Sequence, residues 1–280
     1  MKTYKIGNII FQIINKTDIH FEEFLLPFQS DLKSYYTIYI ECSEEYEIFD
    51  HLLFHDDRLY VYREDHCLET RQYINPINQQ ILATTKIYQD HSYTIFHQIL
   101  SESETTNFLY TMCLGLDKII YLHHSYVLHS SSILVDNQMI LFSAPSGTGK
   151  STQADLWNQY RNVKIINGDR NLIYKDGDTF YAQGWVLSGS SEHRENINAP
   201  IRCIVMLEKG LENKIIRLTG FQALNKVYKE IITNTWDHDF INELFDFLEL
   251  LIEDIPILYY QCTKEKDAVT FLENYLEDLL

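Results

Sequence analysis

The chain has 280 residues, of which 45% are apolar, enough for one large domain or two of ordinary size. It carries 23 Lys and Arg against 40 Asp and Glu, a net charge of -17. Such a field repels nucleic acids and anionic membranes, so we expect neither as a partner. Any anionic ligand must be held by local backbone N–H groups, a helix dipole and lysine.

The five cysteines are widely scattered and never in C-x-x-C spacing, which indicates reduced thiols in the core instead of a disulfide framework or a zinc site. The N-terminus lacks the apolar run of a signal peptide, and no stretch approaches the ~20 apolar residues of a membrane span. These features predict a cytoplasmic protein.

Residues 1–105 contain short runs rich in Ile, Tyr and Thr between acidic turns, a pattern typical of β-strands. In segment 104–121, four apolar residues recur at helical spacing: Phe108, Met112, Leu116 and Ile119. This spacing predicts one amphipathic helix. We therefore expect a strand-rich N-terminal region, residues 1–105, with substrate binding as its candidate role, and a second domain over residues 106–280.

The second domain begins with apolar runs at 131–135 and 139–142, and the turn-forming Asp136-Asn137-Gln138 between them predicts a tight hairpin. A helix is expected over 150–160. The strands expected after it are 163–166, 171–175, 179–183, 201–209, 213–218 and one within 255–262. Further helices are expected over 221–234, 238–252 and 265–280. Strands and helices do not alternate regularly, so the pattern predicts a β-rich α/β fold with a mixed sheet.

Residues 144–151 read APSGTGKS, which fits the phosphate-loop pattern G-x-x-x-x-G-K-S/T with alanine in the first glycine position. An apolar strand runs into this stretch and a helix starts at its end. The backbone N–H groups from Gly147 to Ser151 would face phosphates, Lys150 would reach the β/γ oxygens, and the Ser151 hydroxyl would ligate Mg²⁺. We therefore predict that ATP and Mg²⁺ bind here. The expected nucleotide-binding residues of this loop are Ser146, Gly147, Thr148, Gly149, Lys150, Ser151 and Thr152.

Asp169 follows the apolar run VKII, so it lies at the end of a strand after the expected helix. A carboxylate there can face the γ-phosphate, bind Mg²⁺, or take a proton from an attacking hydroxyl. His129 follows the apolar Val127 and Leu128, surroundings that by themselves favour a core histidine.

Several motifs in this order resemble the kinase domain of HPr kinase/phosphorylase and its shorter relatives, which share their fold with ATP-dependent phosphoenolpyruvate carboxykinase. They are LHSS at 128–131, FSAPSGTGKST at 142–152, IINGDRNLI at 165–173, GWVLSG at 184–189, APIRCIVMLEKGLENKIIRLT at 199–219 and IPILYYQCTKEKDAVTFL at 255–272. The resemblance covers residues 105–280 and implies a P-loop kinase core built on a mixed sheet.

The resemblance further implies that Lys150 and Ser151 hold ATP and Mg²⁺. It implies that Asp169 is the general base that activates a serine hydroxyl, with the metal also within its reach. His129 would lie beside the γ-phosphate. HPr kinases are hexamers, so an assembly of several copies is implied by analogy alone.

Arg217 and Arg170 are the candidates for countering the charge of the transferring phosphoryl group. The chain departs from the family pattern at three positions. Ala144 replaces the first loop glycine, Gly168 stands where HPr kinases have the first of two aspartates, and Gly184 stands where the shorter relatives have proline.

The leading hypothesis is an ATP-dependent kinase that phosphorylates the hydroxyl group of a serine in a peptide or protein. A ribosomally made precursor peptide is one candidate acceptor. A second hypothesis is a small-molecule kinase whose N-terminal half closes over a metabolite. A third is a nucleotide-gated binding module without transfer. A carboxykinase is less favoured, because no lysine/histidine pair suited to Mn²⁺ and oxaloacetate is evident.

Overall fold

A computed structural model of the protein describes residues 2–20, 22–101, 104–189 and 191–278. The protein is mixed α/β and strand-rich, with two mixed sheets. It divides into two compact units, an N-terminal unit (Met1–His123) and a C-terminal unit (His124–Leu280). This division lies later than the boundary after residue 105 that the sequence suggested.

The N-terminal unit is built on one eight-stranded sheet in the order β1-β2-β3-β8-β7-β6-β5-β4. Strand β3 pairs in parallel with β2 and β8, and the other pairs are antiparallel. The strands are β1 (Lys2–Ile6), β2 (Ile9–Asn15), β3 (Tyr36–Cys42), β4 (Leu52–His55), β5 (Leu59–Tyr62), β6 (Glu69–Ile74), β7 (Ile81–Ile87) and β8 (His91–Phe96). The helices are α1 (Glu22–Leu25), a 3-10 turn (Leu26–Phe28), α2 (Glu104–Met112) and α3 (Leu116–Tyr121).

The single helix predicted over 104–121 is wrong, because the chain breaks between α2 and α3 at Gly115. Gly115 has φ 64°, in the left-handed region that favours glycine. A Cβ at this position would lie 2.9 Å from Ile87 Cδ1, so β7 leaves no room for a side chain. Thr85 Oγ1, also on β7, donates to Cys113 O at 2.6 Å. The sheet therefore fixes the break.

The C-terminal unit follows the predicted order of elements. Its strands are β9 (Ser125–Val135), β10 (Gln138–Ser143), β11 (Lys164–Asn167), β12 (Arg170–Asp176), β13 (Thr179–Gly184), β14 (Asn198–Lys209), β15 (Lys214–Leu218) and β16 (Ile257–Cys262). Its helices are α4 (Lys150–Arg161), α5 (Gly220–Tyr228), α6 (His238–Asp254) and α7 (Lys266–Glu277). The predicted hairpin is confirmed: Asp136 and Asn137 both have positive φ, 50° and 60°, in the turn between β9 and β10.

The sheet order in this unit is β10-β9-β12-β13-β14-β16-β15, with β11 paired to β9. Strand β10 also pairs in parallel with β14, so β10, β9, β12, β13 and β14 close into a ring. Strand β16 is parallel to β14 as well. Because β10, β14 and β16 all run in the same direction, their carboxyl ends share one edge of the sheet, where ligands of α/β sheets commonly bind.

Helices α4 and α7 pack against this sheet and bury a core of aromatic and aliphatic side chains. Its large members include Phe142, Trp157, Val205, Leu258 and Leu272, all at most 2% exposed. Burying one tryptophan removes roughly 150–250 Å² from water and, at about 25 cal/mol per Å², stabilises the unit by about 4–6 kcal/mol. This packing fixes the start of α4 relative to the strand ends.

Two predicted helix ends differ from the structure. The helix expected over 221–234 ends at Tyr228, because Ile231 forms a bridge with Leu128 of β9 and Ile232 N donates to Val127 O at 2.9 Å. The helix expected over 265–280 ends at Glu277, and residues 279–280 lie outside the described residues.

Two further sequence predictions concern the cysteines and membrane-spanning segments. All five cysteines are free. Cys113, Cys203 and Cys262 are buried, as expected of core thiols, whereas Cys42 is exposed and Cys67 is half-buried. Among the described residues, no helix combines the length and the apolar character that a membrane crossing requires.

Candidate active site

A run of serines on β9 ties together the parts of the site. Ser131 Oγ donates to Lys150 O at 2.9 Å and so anchors the first turn of α4. Ser132 Oγ accepts from Asn167 N at 3.2 Å, and Ser130 N donates to Asp169 O at 2.9 Å. All three serines are fully buried. Small hydroxyl side chains are needed here because they bond to neighbouring backbone within a packed interior.

The loop over residues 144–152, called here the glycine loop, connects β10 to α4. Gly147 and Gly149 have φ of 77° and 121°, conformations that other residues rarely adopt. A Cβ at either position would meet nothing within 4 Å, so the surface above these glycines is open. The loop leads into the N-terminus of a helix of twelve residues, whose first N–H groups and dipole suit an anion, while Thr148 N donates to Pro145 O at 3.2 Å.

Lys150 is the first residue of α4 and is only 6% exposed. Its Nζ donates to Ala144 O at 2.9 Å, so the side chain folds back over the glycine loop. Burial lowers the pKa of Lys150 from its ordinary value of 10.5, whereas the nearby carboxylates of Asp169 and Glu230 act to raise it. The ammonium group of Lys150 therefore lies against the glycine loop, near enough to two carboxylates for their charges to raise its pKa.

Asp169 is aimed by the turn between β11 and β12. Asn167 Oδ1 accepts from the backbone N–H groups of Asp169 and Arg170, both at 2.9 Å, and Asn167 Nδ2 donates to Trp185 O at 2.9 Å. The intervening Gly168 has no space for a side chain, because a Cβ there would lie 2.0 Å from Ser191 Oγ. A second carboxylate at position 168 would therefore not fit this turn.

The same turn meets the start of α4. Ser151 Oγ donates to Gly168 O at 3.2 Å, which places this hydroxyl beside the residue that precedes Asp169. Mg²⁺ is commonly held by a hydroxyl and one or two carboxylates, with phosphates and waters filling the other positions. Ser151 and Asp169 fit that donor set. Among the described residues there is no group of three or more His, Cys, Asp or Glu arranged for a metal held by protein alone.

His129 lies between two carboxylates. Its Nε2 is 3.3 Å from Asp169 Oδ1, and its Nδ1 is 3.2 Å from Glu230 Oε2. A carboxylate only accepts, so both contacts are hydrogen bonds only when both ring nitrogens carry a proton. The imidazole ring is thus held between Glu230, which is 9% exposed, and the more open Asp169.

Asp169 also contacts a second cation. Its Oδ2 is 3.3 Å from Arg170 Nε. The hydrogen bond from His129, followed by the charges of His129, Arg170 and Lys150, lowers the pKa of Asp169 below its ordinary value of 3.8, although burial opposes the shift. Asp169 therefore stays ionised to lower pH than an ordinary aspartate and accepts protons more weakly.

The structure brings four of the predicted residues, His129, Lys150, Ser151 and Asp169, to one place. The backbone of Ser146 to Gly149 and Thr152 forms the adjoining loop. Arg170 also belongs to this cluster. Arg217 does not: its exposed side chain stands on β15, and β16 and β14 lie between that edge strand and β10.

Glu230 is the residue that sequence reasoning missed. It is 101 residues from His129 along the chain, and no local motif marks it. It reaches the site because the chain leaves α5 early and pairs with β9, where His129 N donates to Glu230 O at 2.8 Å. The only sequence signal available was a carboxylate within a segment that reads as a helix.

Sequence comparison with known proteins does not assign the chain to a family. No protein-family model and no curated protein matches the chain. Among solved structures, the chain is similar to the HPr(Ser) kinase/phosphatase from Coxiella burnetii, with 9% identity over 55% of this chain and 97% of that chain and a TM-score of 0.33. This likeness is weak and does not establish a family.

Proposed function

We propose that the chain is a kinase that transfers the γ-phosphoryl group of ATP to a hydroxyl, and that the acceptor is a serine of a peptide or protein. One observation carries the proposal: the ionised Asp169, in contact with His129 and Arg170, lies near enough to the buried Lys150 of the glycine loop for each charge to act on the pKa of the other. A loop that suits phosphate, a lysine and an oriented carboxylate are the parts that phosphoryl transfer requires.

The glycine loop would bind the triphosphate. Its N–H groups from Gly147 to Ser151 and the dipole of α4 would hold phosphate oxygens, and Lys150 would swing from Ala144 O to the β/γ oxygens. Mg²⁺, held by Ser151 and Asp169, would neutralise charge on the phosphates. These local groups act against the overall charge of -17, which by itself repels the nucleotide.

Asp169 would act on the acceptor. Its carboxylate takes the proton of the serine hydroxyl as the serine oxygen bonds to the γ-phosphorus, and the bond from that phosphorus to the β–γ bridging oxygen breaks to release ADP. The lowered pKa makes Asp169 a weak base. Phosphoryl transfer tolerates this, since its loose transition state depends on positioning and charge more than on proton removal.

His129 and Arg170 would stabilise the transferring charge. Arg170 lies opposite His129 in the β12–β9 ladder, so two basic side chains flank the Asp169 carboxylate. Glu230 would not contact the reacting groups. It contacts His129 Nδ1 and so orients the ring with Nε2 toward Asp169. We assign Glu230 as a positioning residue.

The resemblance of residues 105–280 to HPr kinases is the reason for choosing serine over a metabolite as the acceptor. We also propose substrate binding as the role of the N-terminal unit. That unit has a polar cleft of about 730 Å³, whose lining includes Glu44, Tyr46, Asp56, His55 and His97. Hydrogen-bonding and aromatic groups of this kind suit a peptide.

The proposal is tested by transfer from γ-labelled ATP with Mg²⁺ into a cell extract that is then separated by size, comparing wild type with Lys150→Ala. We expect label in a polypeptide fraction with wild type alone. Label in the smallest fraction would show a metabolite kinase, and ATP binding with no labelled product in any fraction would contradict a kinase.

A further inference from the structure

A pocket beside the glycine loop contains groups that the proposed transfer does not use. Its volume is about 170 Å³, and it lies at the carboxyl ends of β14 and β16, next to the loop. Complete ligand sites usually measure about 300–1,000 Å³, so this pocket suits one part of a ligand whose remainder lies elsewhere. Its lining comprises Gly147, Thr148, Gly149, Thr152, Gln153, Leu207, Lys209, Cys262, Thr263 and Lys264.

Gln153, one of the lining residues, carries a buried acceptor. The side chain is 3% exposed, and its Nε2 donates to Thr263 O at 3.1 Å and to Cys262 Sγ at 3.2 Å. Because a backbone carbonyl only accepts, this bond fixes which end of the amide is nitrogen. Within the described part of the chain, Gln153 Oε1 has no hydrogen-bond partner. A buried acceptor without a donor is costly, which points to a donor on a ligand.

Two lysines lie on the same pocket. Lys209 ends β14 and Lys264 follows β16, and both are exposed. Neither forms an ion pair with any residue in the described ranges, although the chain has a net charge of -17. Two ammonium groups free of carboxylates in an acidic protein favour an anionic ligand at this edge.

We propose that this pocket binds the nucleoside end of the phosphoryl donor. Gln153 Oε1 accepts a hydrogen bond from the nucleoside, and Lys209 and Lys264 face the adjoining α-phosphate. This inference rests on the proposed function, since it assumes that the remaining phosphates lie on the glycine loop. A nucleoside triphosphate matches the pocket because it joins an uncharged group rich in N–H and O–H donors to an anionic chain.

The test is equilibrium binding of Mg-ATP and of Mg-tripolyphosphate, which has the phosphates and no nucleoside. Gln153→Leu should weaken ATP about three- to tenfold, the range of one hydrogen bond, and leave tripolyphosphate unchanged. A double Lys209→Ala, Lys264→Ala variant should weaken both ligands about tenfold, with a smaller loss at high salt. Lys266→Ala is the matched control: this lysine lies over the Tyr160 ring, outside the pocket lining, and its loss should change neither affinity.

Three analogues, each compared with ATP, identify the donor to Gln153. Inosine triphosphate lacks the amino group of ATP, and the 2′- and 3′-deoxy forms of ATP each lack one ribose hydroxyl. We expect wild type to bind one of these analogues less tightly than ATP, and the difference to disappear in Gln153→Leu. Thermal unfolding of each variant checks that it folds.

Failure of the inference and failure of the proposed function give different results. If Gln153→Leu binds ATP as wild type does, or if all the analogues bind wild type equally, the pocket does not hold the nucleoside, whatever the transfer assay shows. If wild type binds neither ATP nor tripolyphosphate, the glycine loop is not a phosphate site and both proposals are wrong.

Discussion

The two units each contain a basic side chain held between two carboxylates, but the two groups differ in exposure. In the N-terminal unit, Arg71 lies on β6 between Glu69 and Asp117; its Nη1 is 2.9 Å from Asp117 Oδ1, and Arg71 and Glu69 are each 3% exposed. In the C-terminal unit, His129 lies between Asp169 and Glu230, and His129 and Asp169 are each 26% exposed.

This difference separates a group that stabilises the fold from one that can meet a substrate. Arg71 and Glu69 are sealed within a strand that is buried on both faces, so no ligand reaches them. Asp169 is partly exposed, and its neighbours hold it ionised by lowering its pKa. Similar charge patterns therefore imply different roles, and access to solvent distinguishes them.

The largest expected effect is on stability, at the buried Arg71 of the N-terminal unit. Arg71→Met should lower the free energy of unfolding by about 3–5 kcal/mol, because the Glu69 carboxylate is left buried without its cation. The exposed Arg63→Met is the control and should change stability by about 0.5 kcal/mol or less. Urea unfolding measures both. Equal losses in the two variants would contradict a structural role for the Arg71 group.

In the His129 group of the C-terminal unit, Glu230→Gln should slow transfer about tenfold, or about 1.4 kcal/mol, with the KM for ATP unchanged, because the acceptor on His129 Nδ1 loses its negative charge. Glu243→Gln is a matched control, since Glu243 Oε2 is 3.3 Å from Nδ1 of the exposed His124. ¹⁵N NMR of His129 should show an altered Nδ1 signal only in Glu230→Gln. An unchanged signal and rate would remove Glu230 from the site.

The smallest expected effect is a shift in the pH dependence of kcat/KM for ATP. Burial lowers the pKa of Lys150, so the free enzyme should lose the Lys150 charge, and with it kcat/KM for ATP, as pH rises through a value below the ordinary 10.5. The carboxylates of Asp169 and Glu230 oppose this shift, so Glu230→Gln should move the alkaline fall to still lower pH. A fall at or above pH 10.5, or a move in the opposite direction, would contradict this environment for Lys150.

Local patterns predicted much of the C-terminal unit. The β9–β10 hairpin follows from turn residues that tolerate positive φ, and α4 starts where the Gly149-Lys150 sequence leaves a glycine-rich turn. The clustering of Lys150, Ser151 and Asp169 follows from their places at a strand end and a helix start. These features depend on neighbours in sequence, so the sequence alone can reveal them.

Contacts between distant segments could not be predicted in this way. The break at Gly115 depends on Ile87, and the early end of α5 depends on pairing of Ile231 with Leu128. The wrong prediction of a helix as far as residue 234 also concealed Glu230, since such a helix gave no reason to place the Glu230 carboxylate against β9. The parallel pairing of β10 with β14 is likewise invisible to local periodicity.

The most direct test of the central claim is phosphoryl transfer by Asp169→Asn, with Mg-ATP binding measured on the same preparation. The control is Asp155→Asn, an exposed aspartate on α4. We predict that Asp169→Asn binds ATP and transfers label about 10²- to 10⁴-fold more slowly than wild type, whereas Asp155→Asn behaves as wild type. Equal transfer by the two variants would show that the cluster of His129, Lys150 and Asp169 is not a phosphoryl-transfer site.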